Sequence, residues 1–202
     1  MRPCEQIRCS RFPCGDVRIE SYAVPGVEIR PPDVSIVLIS EAAAGDPADG
    51  YYAGPGSLFE RTTVQAFRDA GAGVDSIADI LGLGVYLTTA VKCGKTGYGL
   101  SAATIKECSL LLDGELALFP NAKAYLLMGD VAIKAVNYIA LRAGEGRVVP
   151  PGSTYKIRGS EYTFRNGRAF PSYLQAGPSF FIEKSKRAMI AEDIAAALAL
   201  AG

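Results

Sequence analysis

Val85-Tyr86-Leu87-Thr88-Thr89-Ala90-Val91-Lys92-Cys93, then a glycine-rich stretch (Gly94, Gly97, Gly99) and a segment from Ser101 to Phe119, decide how this chain folds. Residues 85–91 form a β-branched and apolar run, the pattern of a strand buried on both faces. Ser101 is placed to cap a helix that continues to about Phe119. The same strand–loop–helix step precedes it. Val34 to Ile39 reads as a buried strand, and it runs through the small-residue loop Ser40–Pro47 toward a helix from Ser57 to Ala70 with Leu58, Phe59, Val64 and Phe67 on one face. The step also follows, where Ala124 to Met128 leads through Gly129-Asp130 into a helix ending near Leu141. A shorter helical pattern covers Asp75 to Leu81. Thr154 to Phe164 reads as a hairpin about Gly159, Arg168 to Pro171 as a last strand, and Ile182 to Ala201 as a closing helix.

Strands alternating with helices predict an α/β fold, a three-layer α/β/α sandwich around a four-stranded, mainly parallel sheet with the hairpin added. In such sheets ligands lie outside the carboxyl ends of the strands. The loops after Ile39, Thr89 and Phe170 are therefore where a site is expected. At 202 residues the chain fits one domain, residues 1–202, with residues 1–32 as a cysteine-, proline- and arginine-rich leader ending at Pro31-Pro32.

The formal net charge is zero, so no global field draws the protein to nucleic acid, and any such contact needs a local patch. Lys184, Lys186 and Arg187 are the best candidates. There is no histidine, which removes that side chain as general base, proton shuttle or metal ligand. No apolar run approaches the roughly eighteen residues of a membrane span. The first residues, Met1-Arg2-Pro3-Cys4, lack the apolar core of a signal peptide, so a cytoplasmic location is expected. In that compartment five cysteines argue for metal or redox chemistry over disulfides. Cys93 ends a strand, Cys108 lies on the next helix, and Cys4, Cys9 and Cys14 crowd the leader. Four thiolates drawn from two distant segments are the means by which a domain holds an iron–sulfur cluster or a zinc ion.

The loops carry a resemblance. Ile39-Ser40-Glu41-Ala42-Ala43-Ala44-Gly45-Asp46-Pro47 resembles the first motif of the uracil-DNA glycosylase superfamily, which in its iron–sulfur (thermophile-type) branch reads Gly-Glu-x-Pro-Gly. Tyr51-Tyr52-Ala53-Gly54-Pro55-Gly56-Ser57-Leu58-Phe59 is similar to the aromatic and glycine-containing segment that follows it. Tyr86-Leu87-Thr88-Thr89-Ala90-Val91-Lys92-Cys93, with Glu107-Cys108 beyond, resembles the branch's Tyr-Ile-Thr-Asn-Val-Val-Lys-Cys and Glu-x-x-x-Cys. Phe170-Pro171-Ser172-Tyr173-Leu174 sits where the superfamily carries His-Pro-Ser.

The resemblance implies a [4Fe–4S] cluster, with zinc as the lesser alternative, bound by two leader cysteines with Cys93 and Cys108. The family's first pair is Cys-x-x-Cys. Here four residues separate each of Cys4, Cys9 and Cys14; Cys9 and Cys14 are favoured, with Cys4 free or as an alternate. It implies a monomer that takes a deaminated base out of DNA and hydrolyses its glycosidic bond, Glu41 serving as the carboxylate beside the sugar and Asp46 as understudy. Tyr52, Thr89, Phe170 and Ser172 fall at base-binding positions, and Leu174 where an apolar wedge enters the stack.

Three positions depart from the pattern: Thr89 for asparagine, Phe170 for histidine, and Ala43-Ala44 for Pro-Gly. Loss of both side-chain donors predicts altered or reduced excision, or a non-catalytic member that binds nucleic acid or a partner through the same cleft.

Overall fold

The computed structural model describes residues 1–202. The chain is α/β, with strands β1 (Val17–Arg18), β2 (Ile36–Ala43), β3 (Val85–Lys95), β4 (Ala124–Met128), β5 (Tyr162–Phe164) and β6 (Gly167–Ser172). The helices are α1 (Leu58–Asp69), α2 (Ile77–Gly82), α3 (Ala102–Leu116), α4 (Asp130–Arg142), α5 (Thr154–Ile157), α6 (Ser179–Ile182) and α7 (Lys184–Ala201). The six strands form one sheet in the order β1-β3-β2-β4-β6-β5. The central β3, β2, β4 and β6 run parallel. β1 and β5 close the two edges antiparallel.

The sheet thus has six strands where four were expected. β1 has two residues and β5 three, too short to carry an alternation signal. The expected hairpin at Thr154–Phe164 is also corrected. Thr154–Ile157 is a helical turn, and Tyr155 is 72 % exposed, so its aromatic ring marks no buried strand face. The hairpin lies one step on, between β5 and β6, and turns at Arg165 in the left-handed region (φ 52°).

Alternation along the central strands divides the interior in two. Val37, Ile39, Tyr86 and Leu127 pack with Ile105, Leu112 and Val136 of α3 and α4 on one face. Ile36, Leu38, Leu87 and Leu126 pack with Phe67, Ile80 and Ile194 of α1, α2 and α7 on the other. Both faces are covered, which is why these strands read as continuous apolar runs. Ser57, Ser76 and Ser101 cap α1, α2 and α3 by accepting from backbone amides in the first turn.

The leader lies along the open edge of β3. The Met1 ammonium donates to the Ile29 carbonyl at 2.7 Å and the Cys4 amide to Pro25 at 3.1 Å. The Ala23 amide donates to the Lys92 carbonyl at 2.7 Å, and the Gly94 amide to Ser21 Oγ at 2.7 Å. Gly94 has no room for a side chain, because a Cβ there would meet the Ala44 carbonyl and Gly45 Cα at 2.8 Å. No helix is long and apolar enough to cross a membrane.

Candidate functional site

Two adjoining cavities lie at the carboxyl end of β3, and the strand contributes to both. The first is narrow and is lined by four thiols, Cys9 and Cys14 from the leader, Cys93 from β3 and Cys108 from α3. The rest of its lining includes Phe12, Val17, Tyr22, Val91 and Leu111, so the four cysteines share a mostly apolar shell. Tyr22 anchors the leader here: its hydroxyl accepts from the Cys9 amide at 3.0 Å and its ring meets Phe12 edge-on at 5.2 Å. The Lys92 amide donates to Cys108 Sγ at 3.5 Å. Burial, reinforced by the neighbouring thiols, pushes Cys93 up to about 12, and burial also raises Cys14 and Cys108. Without a cation these groups are neutral thiols. Cys4 stands apart, beside Gly26.

No three cysteine, aspartate or glutamate side chains are placed to hold a single metal ion. Zinc with bonds of about 2.3 Å draws its sulfurs to roughly 3.8 Å from one another. A four-iron cluster takes one thiolate per iron and holds its sulfurs farther apart. Four thiols with no histidine or carboxylate are a donor set that suits an iron–sulfur cluster and also a four-cysteine zinc site.

The second cavity, of about 210 Å³, opens where β2 and β3 end. Thr88 and Thr89 come from β3, Ala43 and Ala44 from the end of β2 and its loop, Tyr51 and Tyr52 from the segment before α1, and residues 23–26 of the leader close one wall. It is smaller than the roughly 300–1,000 Å³ of drug-sized sites, and matches a single heterocycle better than a whole nucleotide.

The polar atoms around it are committed to the protein. Tyr52 donates from its hydroxyl to the Leu87 carbonyl at 3.0 Å and accepts from the Leu87 amide at 3.3 Å, sealing the open edge of β3. Thr89 donates to the Val91 carbonyl at 3.0 Å. Tyr51 shares a buried network with Ser40, Thr63 and Gln175, whose Nε2 donates to the Tyr51 hydroxyl at 2.7 Å. Burial raises both tyrosines, Tyr51 to about 12, so both stay protonated.

Glu41 is not in the lining of this cavity. β2 continues to Ala43, past the expected end at Ile39, and its alternation sends Glu41 to the same face as Ile39, toward α4. There the carboxylate pairs with Lys95 at 2.8 Å and packs over Gly129, with its side chain 17 % exposed. Asp46 accepts from the Ala48 amide at 2.9 Å and caps a surface turn.

The other expected positions scatter. Phe170 is buried in the core beside α7, with Arg168 stacked on its ring at 4.6 Å, and does not reach the cavity. Ser172 is fully buried and donates to Asp193 at 2.5 Å, within a network held by Arg158. Leu174 packs half-buried against the same core. Lys186 pairs with Glu183 and Arg187 with Asp69, which leaves Lys184 as the one unpaired cation of the proposed patch.

A pair that the sequence reading passed over lies between the cavities. Lys92 and Glu115 form an ion pair with both side chains fully buried. Glu115 Oε1 also accepts from Tyr86 at 2.7 Å and from Thr88 at 2.9 Å. The signal was present, since Cys108, Leu112 and Glu115 share one face of α3. A carboxylate on an apolar face, and a lysine closing a buried strand, each call for a buried partner.

Among known proteins no family model matches the chain and no curated relative matches it.

Proposed function

We propose that this is a cluster-bearing, uracil-DNA glycosylase-like protein that receives a deaminated base, turned out of DNA, in the cavity at the ends of β2 and β3. The observation that carries the reading is convergence: the segments that resemble the family's motifs bring Cys93 and Cys108 to the leader's Cys9 and Cys14 around one cavity, and line a base-sized pocket beside it. The helices on both faces are read as the outer layers of an α/β/α sandwich. Cys9, Cys14, Cys93 and Cys108 would hold a [4Fe–4S] cluster, zinc remaining the lesser alternative, with Cys4 taking no part. The group's contribution is structural, since it fastens the leader to β3 and α3. A cytoplasmic monomer suits reduced thiols and a single-site binder.

Within the pocket the Tyr51 and Tyr52 rings offer apolar walls to a planar base, and Ala43 and Ala44 let it approach the backbone closely. The dry walls strengthen any polar contact the base makes there. Excision would call on Glu41, at the end of β2, to leave its Lys95 partner and turn toward the sugar on which positive charge develops.

One observation favours a second reading, a member that holds the base without cleaving it. Glu41 faces Lys95 and α4, not the pocket, and the hydroxyls of Tyr52 and Thr89 already have protein partners. Incubation with single- and double-stranded oligonucleotides carrying uracil, hypoxanthine or xanthine separates the two. An abasic product that vanishes in Glu41→Ala supports excision, whereas base-dependent binding without product supports the second reading. Neither product nor base-dependent binding removes both.

A further inference from the structure

Lys92 is the one residue that touches the cysteine cavity and two sides of the base pocket. Its amide donates to Cys108 Sγ at 3.5 Å. Its carbonyl accepts at 2.7 Å from the amide of Ala23, part of the pocket wall that the leader supplies. Its ammonium donates to Thr88 Oγ1 at 2.8 Å and to the Thr89 carbonyl at 2.5 Å, both on the pocket floor, and pairs with Glu115. Glu115 in turn holds Thr88 through its hydroxyl.

Stability alone is a poor reason for this arrangement. A fully buried ion pair returns little over well-packed apolar side chains of the same volume, because both ions give up their water. What such a pair does supply is direction. Each donor has one acceptor in a fixed place, and strand, leader and helix must all be in register for the set to close.

We propose that Lys92, fixed by Glu115, is a positioning residue that sets the floor and leader wall of the base pocket from the cysteine site. The inference rests on the base-binding reading above and deepens it. The pocket's fit to a base depends on the leader being docked, and the contacts that dock it beside the thiols are the contacts that shape the pocket. No proton transfer or redox step is involved.

Lys92→Met alone would leave the Glu115 carboxylate buried and unpaired, so the informative variant is the neutral pair Lys92→Met/Glu115→Gln, in which Tyr86 and Thr88 keep an acceptor. Iron and sulfide content is measured first. Affinity is then compared for two single-stranded oligonucleotides, one with uracil and one with an abasic analogue at the same position.

The expected result is that the variant keeps its metal content and its affinity for the abasic strand. Its preference for the uracil strand falls roughly ten- to hundredfold, the loss that goes with a charge-assisted hydrogen bond. A merely structural residue would lower the melting temperature and leave that preference in place. An unchanged preference in the folded variant overturns the proposal.

A wild-type protein with no preference for uracil over the abasic analogue overturns the base-pocket reading and this inference with it. That failure is seen before any substitution is made. Should the double variant not fold, amide exchange on the wild-type protein decides. Uracil-strand binding should slow exchange in residues 21–26 and 88–92 together, and slowing in one segment alone overturns the coupling.

Discussion

Gly129→Ala tests where Glu41 points, the feature on which the two functional readings divide. Gly129 caps α4 with φ 101°, and a Cβ built there would lie 2.7 Å from Glu41 Oε1, 2.9 Å from Cγ and 3.1 Å from Cδ. Two costs follow. With ψ at 167° this backbone is one that essentially only glycine adopts, and it costs a residue with a side chain about 1–3 kcal/mol. Driving the Glu41 side chain aside is an overpacking cost of about 1–3 kcal/mol, including whatever the largely buried Lys95 pair contributes. Together they reach roughly 2–6 kcal/mol, and for a chain of this length each kcal/mol lowers the melting temperature by about 2–4 °C. Glu41→Ala deletes all three atoms the new methyl would meet. In that background only the backbone cost remains, so the two substitutions should couple by roughly 1–3 kcal/mol. Urea unfolding of the four proteins, followed by far-ultraviolet circular dichroism since the chain has no tryptophan, measures the cycle. Additivity to within about 0.5 kcal/mol would mean that Glu41 does not lie over Gly129. Its carboxylate would then be free to serve the pocket, and the case for base holding without cleavage would lose its main support.

Two further outcomes follow from the same geometry. Cys93→Ala and Cys108→Ala should abolish iron binding while Cys4→Ala retains it, because Cys4 lies beside Gly26 and not among the four cysteines of the cavity; elemental analysis of anaerobically purified protein checks this, and iron loss in Cys4→Ala would refute the assignment. Hydrogen bonds from Arg187 hold the Asp69 carboxyl below the usual carboxylate range, joining α1 to α7. A depressed carboxyl stabilises fully above its unfolded value, near 3.9, and that stabilisation is lost as pH falls through the folded value. Arg187→Ala should therefore unfold more easily at neutral pH, by about 0–1 kcal/mol for so exposed a pair. The gap to wild type should close as the solution is acidified below about pH 4, and a gap that widens on acidification would refute the linkage.

The parts of the molecule that could be read from residues alone are those where burial acts on both faces of an element. Ile36 to Ile39, Val85 to Val91 and Ala124 to Met128 are buried throughout, and no polar residue at an outward position blurs them. β1 and β5 had no such signal, because short edge strands owe their pairing to the neighbour and not to their own pattern. The same distinction runs through the site. Cysteines stand out by type, so their convergence could be expected before any contact was known, whereas the side on which Glu41 emerges depends on β2 continuing past Ile39 in regular alternation, its register shift coming only afterwards, between Ala42 and Ala43. Where a strand ends decides whether a residue keeps the alternation or turns into the loop, and the small residues after Ile39 do not announce that β2 runs on. Phe170 shows the consequence at the other end of the sheet. The resemblance sets it against a histidine, yet on β6 opposite Leu126 its ring belongs to the core beside α7. Position within a motif and position around a pocket are separate facts. They coincide at Tyr52 and Thr89, which line the cavity, and part at Glu41, Phe170 and Ser172. On the proposed reading, the cavity at the ends of β2 and β3 is kept while Glu41 and Ser172 are turned to structural partners, which is why the Gly129–Glu41 cycle and the oligonucleotide assay must be read side by side.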